Sequence, residues 1–239
     1  IELLKGAYVK LADRPGVNFA LADAYLQIND LDNAEYYAKQ ATKLDPQNQW
    51  YHQKLVTIYQ AAGKTESAIN ELNTALEYHP RNSDLLYQLA QLYNNRGNAQ
   101  EANTIYNKLL YLEGENVSIR LRKLNNFNRM GQRDSVIAEL NNIRQLEPGN
   151  LSTLKVLSEY YLKLDRLQEA RDVLQNALQI SNRDPSSLIM LSDIYIAQGR
   201  GTGEPITLGV FAETQTLKTR PNLKEIGFRI PGSLTNSTL

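Results

Sequence analysis

Residues 83–116, SDLLYQLAQLYNNRGNAQEANTIYNKLLYLEGEN, carry two apolar faces separated by a turn. Leu86, Leu89, Ala90 and Tyr93 are spaced i, i+3, i+4, i+7, which places them on one side of a helix. Gly97 interrupts the run with a residue suited to a tight turn. Ala102, Ile105, Tyr106 and Leu109 then repeat the same face on a second helix. The small Ala102 lets the two helices approach where a larger side chain would hold them apart.

The same grammar recurs every 34 residues in both directions. Tyr25, Tyr59, Tyr93, Phe127, Tyr161 and Tyr195 form one column. Asn29, Gly63, Gly97, Gly131, Asp165 and Gly199 form a second, all turn-compatible. Ala34, Ala68, Ala102, Val136 and Ala170 form a third, and Leu21, Leu55, Leu89, Lys123, Leu157 and Leu191 a fourth. Pro46, Pro80 and Pro148 share the interval, with Gly114 at the skipped step, and close each second helix. A plain helical bundle has no reason to hold four columns in phase, whereas a stack of helix pairs does. The tyrosine column also accounts for part of an uneven aromatic composition, 14 Tyr against four Phe and one Trp.

These columns resemble the tetratricopeptide repeat. The resemblance implies an all-α fold, a right-handed superhelical solenoid of helix-turn-helix repeats. In phase it gives five units at 15–48, 49–82, 83–116, 117–150 and 151–184, followed by the first helix of a sixth up to Arg200. Residues 1–14 read as the second helix of a truncated unit. The fourth unit departs most, because Lys123 stands for the core Leu and Val136 for the small Ala; altered packing or curvature is expected there.

After Arg200 the period fails. Gly201, Gly203 and Pro205 fall where a second helix should run, so residues 201–239 are expected to form an irregular or β-like tail. The preceding helix, with Leu188, Ile189, Leu191, Ile194 and Tyr195, is apolar on more than one side. Either the tail covers it, or the numbered chain omits residues after Arg200, or it docks a partner or a second copy end to end.

By the same resemblance the first helix of each unit lines a concave wall that binds protein or extended peptide. The wall positions give Phe19 in the first unit, Trp50 and Gln53 in the second, and Tyr87, Gln91 and Asn94 in the third. Asn125, Asn128 and Arg129 follow in the fourth, and Lys155 in the fifth. Amides donate and accept, so they can pair with a peptide backbone whatever its side chains; Phe19, Trp50 and Tyr87 are the residue type that anchors interfaces. The carboxylate clamp of the family's chaperone-tail receptors maps onto Gln53, Thr57, Gln88, Ser118 and Arg122. Only Arg122 carries the needed charge, so the clamp is absent.

Composition narrows the function further. Lys+Arg and Asp+Glu are both 26, for zero formal net charge, which removes the main expectation of nucleic-acid binding. No cysteine is present, so disulfides and thiolate metal sites are excluded. No apolar run approaches the roughly 18 residues of a membrane span. His52 and His79 lie in different units without metal-ligand spacing and read as surface or packing residues, and no paired-acid or Ser-His-Asp set is visible. Gly201-Thr202-Gly203 lacks the strand and the Lys-Ser/Thr of a phosphate loop. Asn116-Val117-Ser118, Asn150-Leu151-Ser152 and Asn236-Ser237-Thr238 match the glycosylation pattern, a frequent match in an Asn-rich chain.

The expectation is therefore a non-catalytic interaction scaffold without metal or cofactor. The alternatives are a recruiting or regulatory module of a larger enzyme or bacterial envelope or secretion assembly and, more weakly, a chaperone. The compartment is left open between the cytoplasm and the bacterial periplasm or envelope. Ile1 falls within a helical pattern, so the sequence reads as a fragment or a mature form.

Overall fold

The computed structural model describes Gly6 and residues 11–197. Among them are eleven helices: α1 (Pro15–Gln27), α2 (Leu31–Leu44), α3 (Gln49–Ala61), α4 (Thr65–Tyr78), α5 (Ser83–Asn95), α6 (Ala99–Glu113), α7 (Val117–Arg129), α8 (Arg133–Leu146), α9 (Leu151–Lys163), α10 (Leu167–Ile180) and α11 (Pro185–Ala197). No strand occurs among the described residues. The first helices begin at Pro15, Gln49, Ser83, Val117, Leu151 and Pro185, the 34-residue interval of the sequence columns. The expected truncated helix of 1–14 and the tail of 201–239 fall largely or wholly outside the described residues.

Two compact units divide the chain between Glu147 and Pro148. In the first, each helix packs on the next from α1 to α8, and α1 also touches α3. In the second, α9 packs on α10 and α10 on α11. This is the helix-turn-helix stacking of a tetratricopeptide-type solenoid.

The columns explain the packing. Ala34, Ala68, Ala102 and Ala170 are fully buried, and Val136 at the same place is 1% exposed, so the extra methyls fit without opening the fourth pair. Leu21, Leu55 and Leu89 fill the first unit's core, and Leu157 and Leu191 the second's. Each such side chain is worth about 1.5–3 kcal/mol on full burial. The turn column lies in the left-handed region, with φ between 68° and 83° at Gly63, Gly97 and Gly131. Asn29 and Asp165 hold the same conformation at 59° and 58°, which their short polar side chains tolerate.

A further column appears at the helix starts. The Oδ1 atoms of Asn48, Asn82, Asn116 and Asn150 accept backbone hydrogen bonds from Trp50, Leu85, Ile119 and both Ser152 and Thr153. Each thereby satisfies an otherwise orphaned donor at a helix N-terminus. Part of the chain's asparagine content is capping, and two residues of the glycosylation pattern, Asn116 and Asn150, serve that purpose. Asp184 takes the same place before α11, accepting from Ser187 N at 2.8 Å and from Lys155 Nζ at 2.5 Å. Burial pushes its carboxyl up, but Lys155 and Ser187 more than offset this and hold it below the usual range.

The fourth pair shows what replaces the missing leucine. Lys123 is 7% exposed and donates to Glu139 Oε1 at 2.5 Å. Arg120 donates to Glu139 Oε2 at 2.8 Å and to Glu115 at 2.5 and 2.7 Å. The cation stays in the core because a carboxylate on α8 accompanies it.

Candidate functional site

In the first unit the expected wall residues sit on α1, α3, α5 and α7, and they divide into occupied and open groups. Phe19 is half-buried, its ring centroid 5.3 Å from that of Tyr51. Lys54 lies over the same ring at 5.4 Å and pairs with Asp23 at 2.5 Å. Here α1 and α3 are joined by an aromatic contact and a charge pair that neutralise one another's surroundings. Trp50, one residue before Tyr51, is 63% exposed.

On α5, two predicted residues are already engaged. The Tyr87 hydroxyl donates to Glu113 Oε2 at 3.2 Å, and burial, followed by the Glu113 carboxylate, raises its pKa against the opposing charge of Arg122. Asn94 donates from Nδ2 to the hydroxyl of Tyr106 at 2.8 Å, and Tyr106 is fully buried. Asn94 Oδ1 is buried without a partner, an arrangement that swaps its orphan atom if the amide is turned over. Asn94 thus anchors a core tyrosine, a structural use that spacing alone did not reveal. Arg122, the one clamp-position cation, stands close enough to Tyr106 to oppose the burial that raises the tyrosine's pKa.

Gln91, Asn125, Asn128 and Arg129 are exposed and Gln53 is half-buried. Their side chains make no hydrogen bond among the described residues. Four amides on α3, α5 and α7 therefore keep donor and acceptor free, and an exposed indole, Trp50, stands in the first turn of α3. In the second unit the predicted wall cation Lys155 is committed to Asp184.

No group of three or more His, Cys, Asp or Glu among the described residues is placed to hold a metal ion. No described helix is long and apolar enough to cross a membrane. His52, read from sequence as a surface or packing residue, is 2% exposed and fully engaged: Nδ1 lies 2.5 Å from Glu71 Oε1 and Nε2 lies 2.8 Å from the Pro46 carbonyl. Its signal in the sequence was the glutamate 19 residues on, which the repeat register alone does not single out.

Family models described as tetratricopeptide repeat match residues 15–48 and 59–120. Among solved structures, the MamA protein is 18% identical, with a TM-score of 0.56 over 72% of this chain and 94% of that one. YrrB, described as a tetratricopeptide repeat protein with an unusual peptide-binding site, is 16% identical, with a TM-score of 0.54 over 78% of this chain and 96% of that one. A tetratricopeptide repeat protein from Parabacteroides merdae is 19% identical, with a TM-score of 0.51 over 94% and 87%. No curated protein matches the sequence. The period, the helix pairs and these matches together show tetratricopeptide repeats in the chain, which indicate a protein-interaction scaffold.

Proposed function

We propose that the first-helix wall of residues 15–129 binds an extended segment of a partner protein. The observation that carries this is the set of unbonded amides, Gln53, Gln91, Asn125 and Asn128, on three successive first helices. Each offers a donor and an acceptor to a peptide backbone, and water is their only present competitor. Trp50 supplies an apolar anchor on α3, of the kind that dominates interface energetics. With Lys54 committed to Asp23 and most clamp positions uncharged, the wall reads the segment's backbone and one apolar side chain, not a terminal carboxylate.

Peptides selected from a random library against the immobilised full chain test this. Their affinity should fall at least about tenfold in Gln53→Ala/Asn125→Ala/Asn128→Ala, the loss of roughly 1.4 kcal/mol, with far-UV circular dichroism unchanged. Affinity equal to wild type would remove the proposal.

A second reading rests on α11, where Ile189 is 50% exposed. End-to-end association of two copies through this helix would cover it. Light scattering across a concentration series decides it: a monomer throughout counts against the reading, and a dimer lost in Ile189→Lys supports it.

A further inference from the structure

The sequence holds two histidines, and both reach the same turn. His52 Nε2 lies 2.8 Å from the carbonyl of Pro46, and His79 Nε2 lies 2.6 Å from the carbonyl of the next residue, Gln47. A carbonyl oxygen only accepts, so each Nε2 must carry a hydrogen. His52 comes from the helix that follows the turn, and His79 from the end of α4, 32 residues beyond Gln47. The turn between α2 and α3 is thus gripped from two sides.

The two grips differ chemically. His79 needs one ring hydrogen. His52 needs two, because Glu71 Oε1 sits 2.5 Å from its Nδ1 while Pro46 occupies its Nε2. With an acceptor at each nitrogen, both bonds exist together only when the ring is an imidazolium. The ring is 2% exposed, so water cannot replace a bond that is lost.

Every element around His52 contributes to its charge balance. Asp45 lies in the turn and Glu71 on α4, both anionic and both favouring the cation. The Tyr78 ring of α4 stacks on the imidazole at 6.3 Å. From α2, Lys39 lies 5.8 Å over the ring of Tyr59, which also feels Glu35 and Glu71, and Glu35 holds Lys39 at 2.6 Å. From α1, Asp23 is taken up by Lys54.

The turn leads straight into the wall. Asn48 bonds back to Asp45 at 3.3 Å through its amide and caps α3 by accepting from Trp50 N at 3.1 Å. A change in the turn is therefore felt at the backbone N–H of Trp50 itself.

We propose that His52 and His79 form a pH-sensitive clasp on the turn from Asp45 to Asn48, and that its state sets Trp50 at the edge of the partner-binding wall. With His52 protonated the turn is held at two adjacent carbonyls. When His52 loses a proton, the remaining ring hydrogen stays on Nδ1, where the anionic Glu71 is the stronger acceptor, and Nε2 turns a lone pair toward the Pro46 carbonyl, so that bond is lost. His79 then holds Gln47 alone. Burial by itself pushes the imidazole toward the neutral form, but Glu71, Pro46 and Asp45 outweigh it, so the clasp opens on the alkaline side of an ordinary histidine. The effect on binding rests on the wall reading above; the opening of the turn does not.

Trp50 is the only tryptophan, so its fluorescence reports this one place. In the full chain, emission and iodide quenching of Trp50 followed from about pH 5 to 9 should show one transition with its midpoint above 6.5, the ordinary histidine value. Hydrogen exchange at residues 45–50 should quicken over the same range. His52→Gln should abolish the transition, and Glu71→Gln should lower its midpoint, which keeps the test available if His52→Gln does not fold. The clasp is overturned by a flat wild-type titration, or by a transition identical in both variants. The wall reading is judged separately: a library-selected peptide weakened by Trp50→Ala without any titration of Trp50 leaves the wall and removes the clasp. A titrating Trp50 with peptide affinity equal at both ends of the range removes the link between them.

Discussion

Arg120 and Glu139 are joined at 2.8 Å across the fourth helix pair, in the same 19-residue register that joins His52 to Glu71 across the second. In both, the first-helix residue also reaches back to the preceding turn, His52 to Pro46 and Arg120 to Glu115. The equivalent places in the third and fifth pairs hold Leu86 with Ile105 and Leu154 with Val173. The first pair holds Asn18, fully buried, which donates to the Ala12 and Arg14 carbonyls, so this position is polar in the first, second and fourth pairs, and the polar residues tie their own helix to the turn before it.

Breaking the buried charge cluster of the fourth pair should be costly. Glu139→Ala leaves Lys123 and Arg120 without their shared carboxylate, and a loss of about 3–5 kcal/mol is expected. Lys123→Leu combined with Glu139→Leu should recover most of it, because the column elsewhere is Leu and Arg120 keeps Glu115. Urea unfolding followed by circular dichroism measures both, and a double variant as unstable as Glu139→Ala would contradict this view.

The His52 pair makes stability depend on pH. Its folded-state pKa is raised above the unfolded value near 6.5, so its stabilisation is full below that value and is lost as pH rises through the folded pKa. The thermal midpoint of wild type relative to Glu71→Gln should therefore narrow on going from about pH 6 to about pH 9. An advantage that grows with pH would contradict the assignment.

A second polar layer lies between α6 and α7. Asn126 Nδ2 donates to Asn103 Oδ1 at 2.8 Å, both residues are 2% exposed, and Asn103 Nδ2 has no partner. Asn126→Ala should cost about 1–3 kcal/mol by orphaning Asn103. Asn103→Ala/Asn126→Ala should cost less than the two single changes summed, which a double-mutant cycle on urea midpoints checks.

Much of the fold was legible because a side chain's burial repeats with the backbone. The columns through Leu21, Ala34 and Asn29 mark core, close approach and left-handed turn, and each is a property of one residue type in one place. What the period could not show was pairing between unlike columns. Lys123 looked like a fault until Glu139 stood beside it, and Asn94 looked like a free wall amide until Tyr106 took its hydrogen bond. His52 looked like filler, since nothing in its own column announces Glu71 or the Pro46 carbonyl. Departures from the repeat were visible in sequence; their compensations lie across the helix pair and needed coordinates.

The turn column offers a simple check of the backbone reasoning. Nothing lies within 4 Å of a Cβ built on Gly97, so Gly97→Ala meets only the left-handed conformation at φ 83°, a cost of about 1–2 kcal/mol. Asp165→Gly should stabilise by a few tenths of a kcal/mol to about 1 kcal/mol, since it relieves the same conformation. Thermal midpoints moving the other way would contradict both.

The central claim is that free amides on the first helices take up a partner's backbone. Side-chain amide resonances in a nitrogen-labelled full chain test it most directly, on addition of a library-selected peptide. The account predicts that Gln53, Gln91, Asn125 and Asn128 shift together while the buried pair Asn103 and Asn126 stays in place. Shifts confined to residues around Tyr36 and Tyr111 on the second helices, with those four amides unmoved, would contradict it.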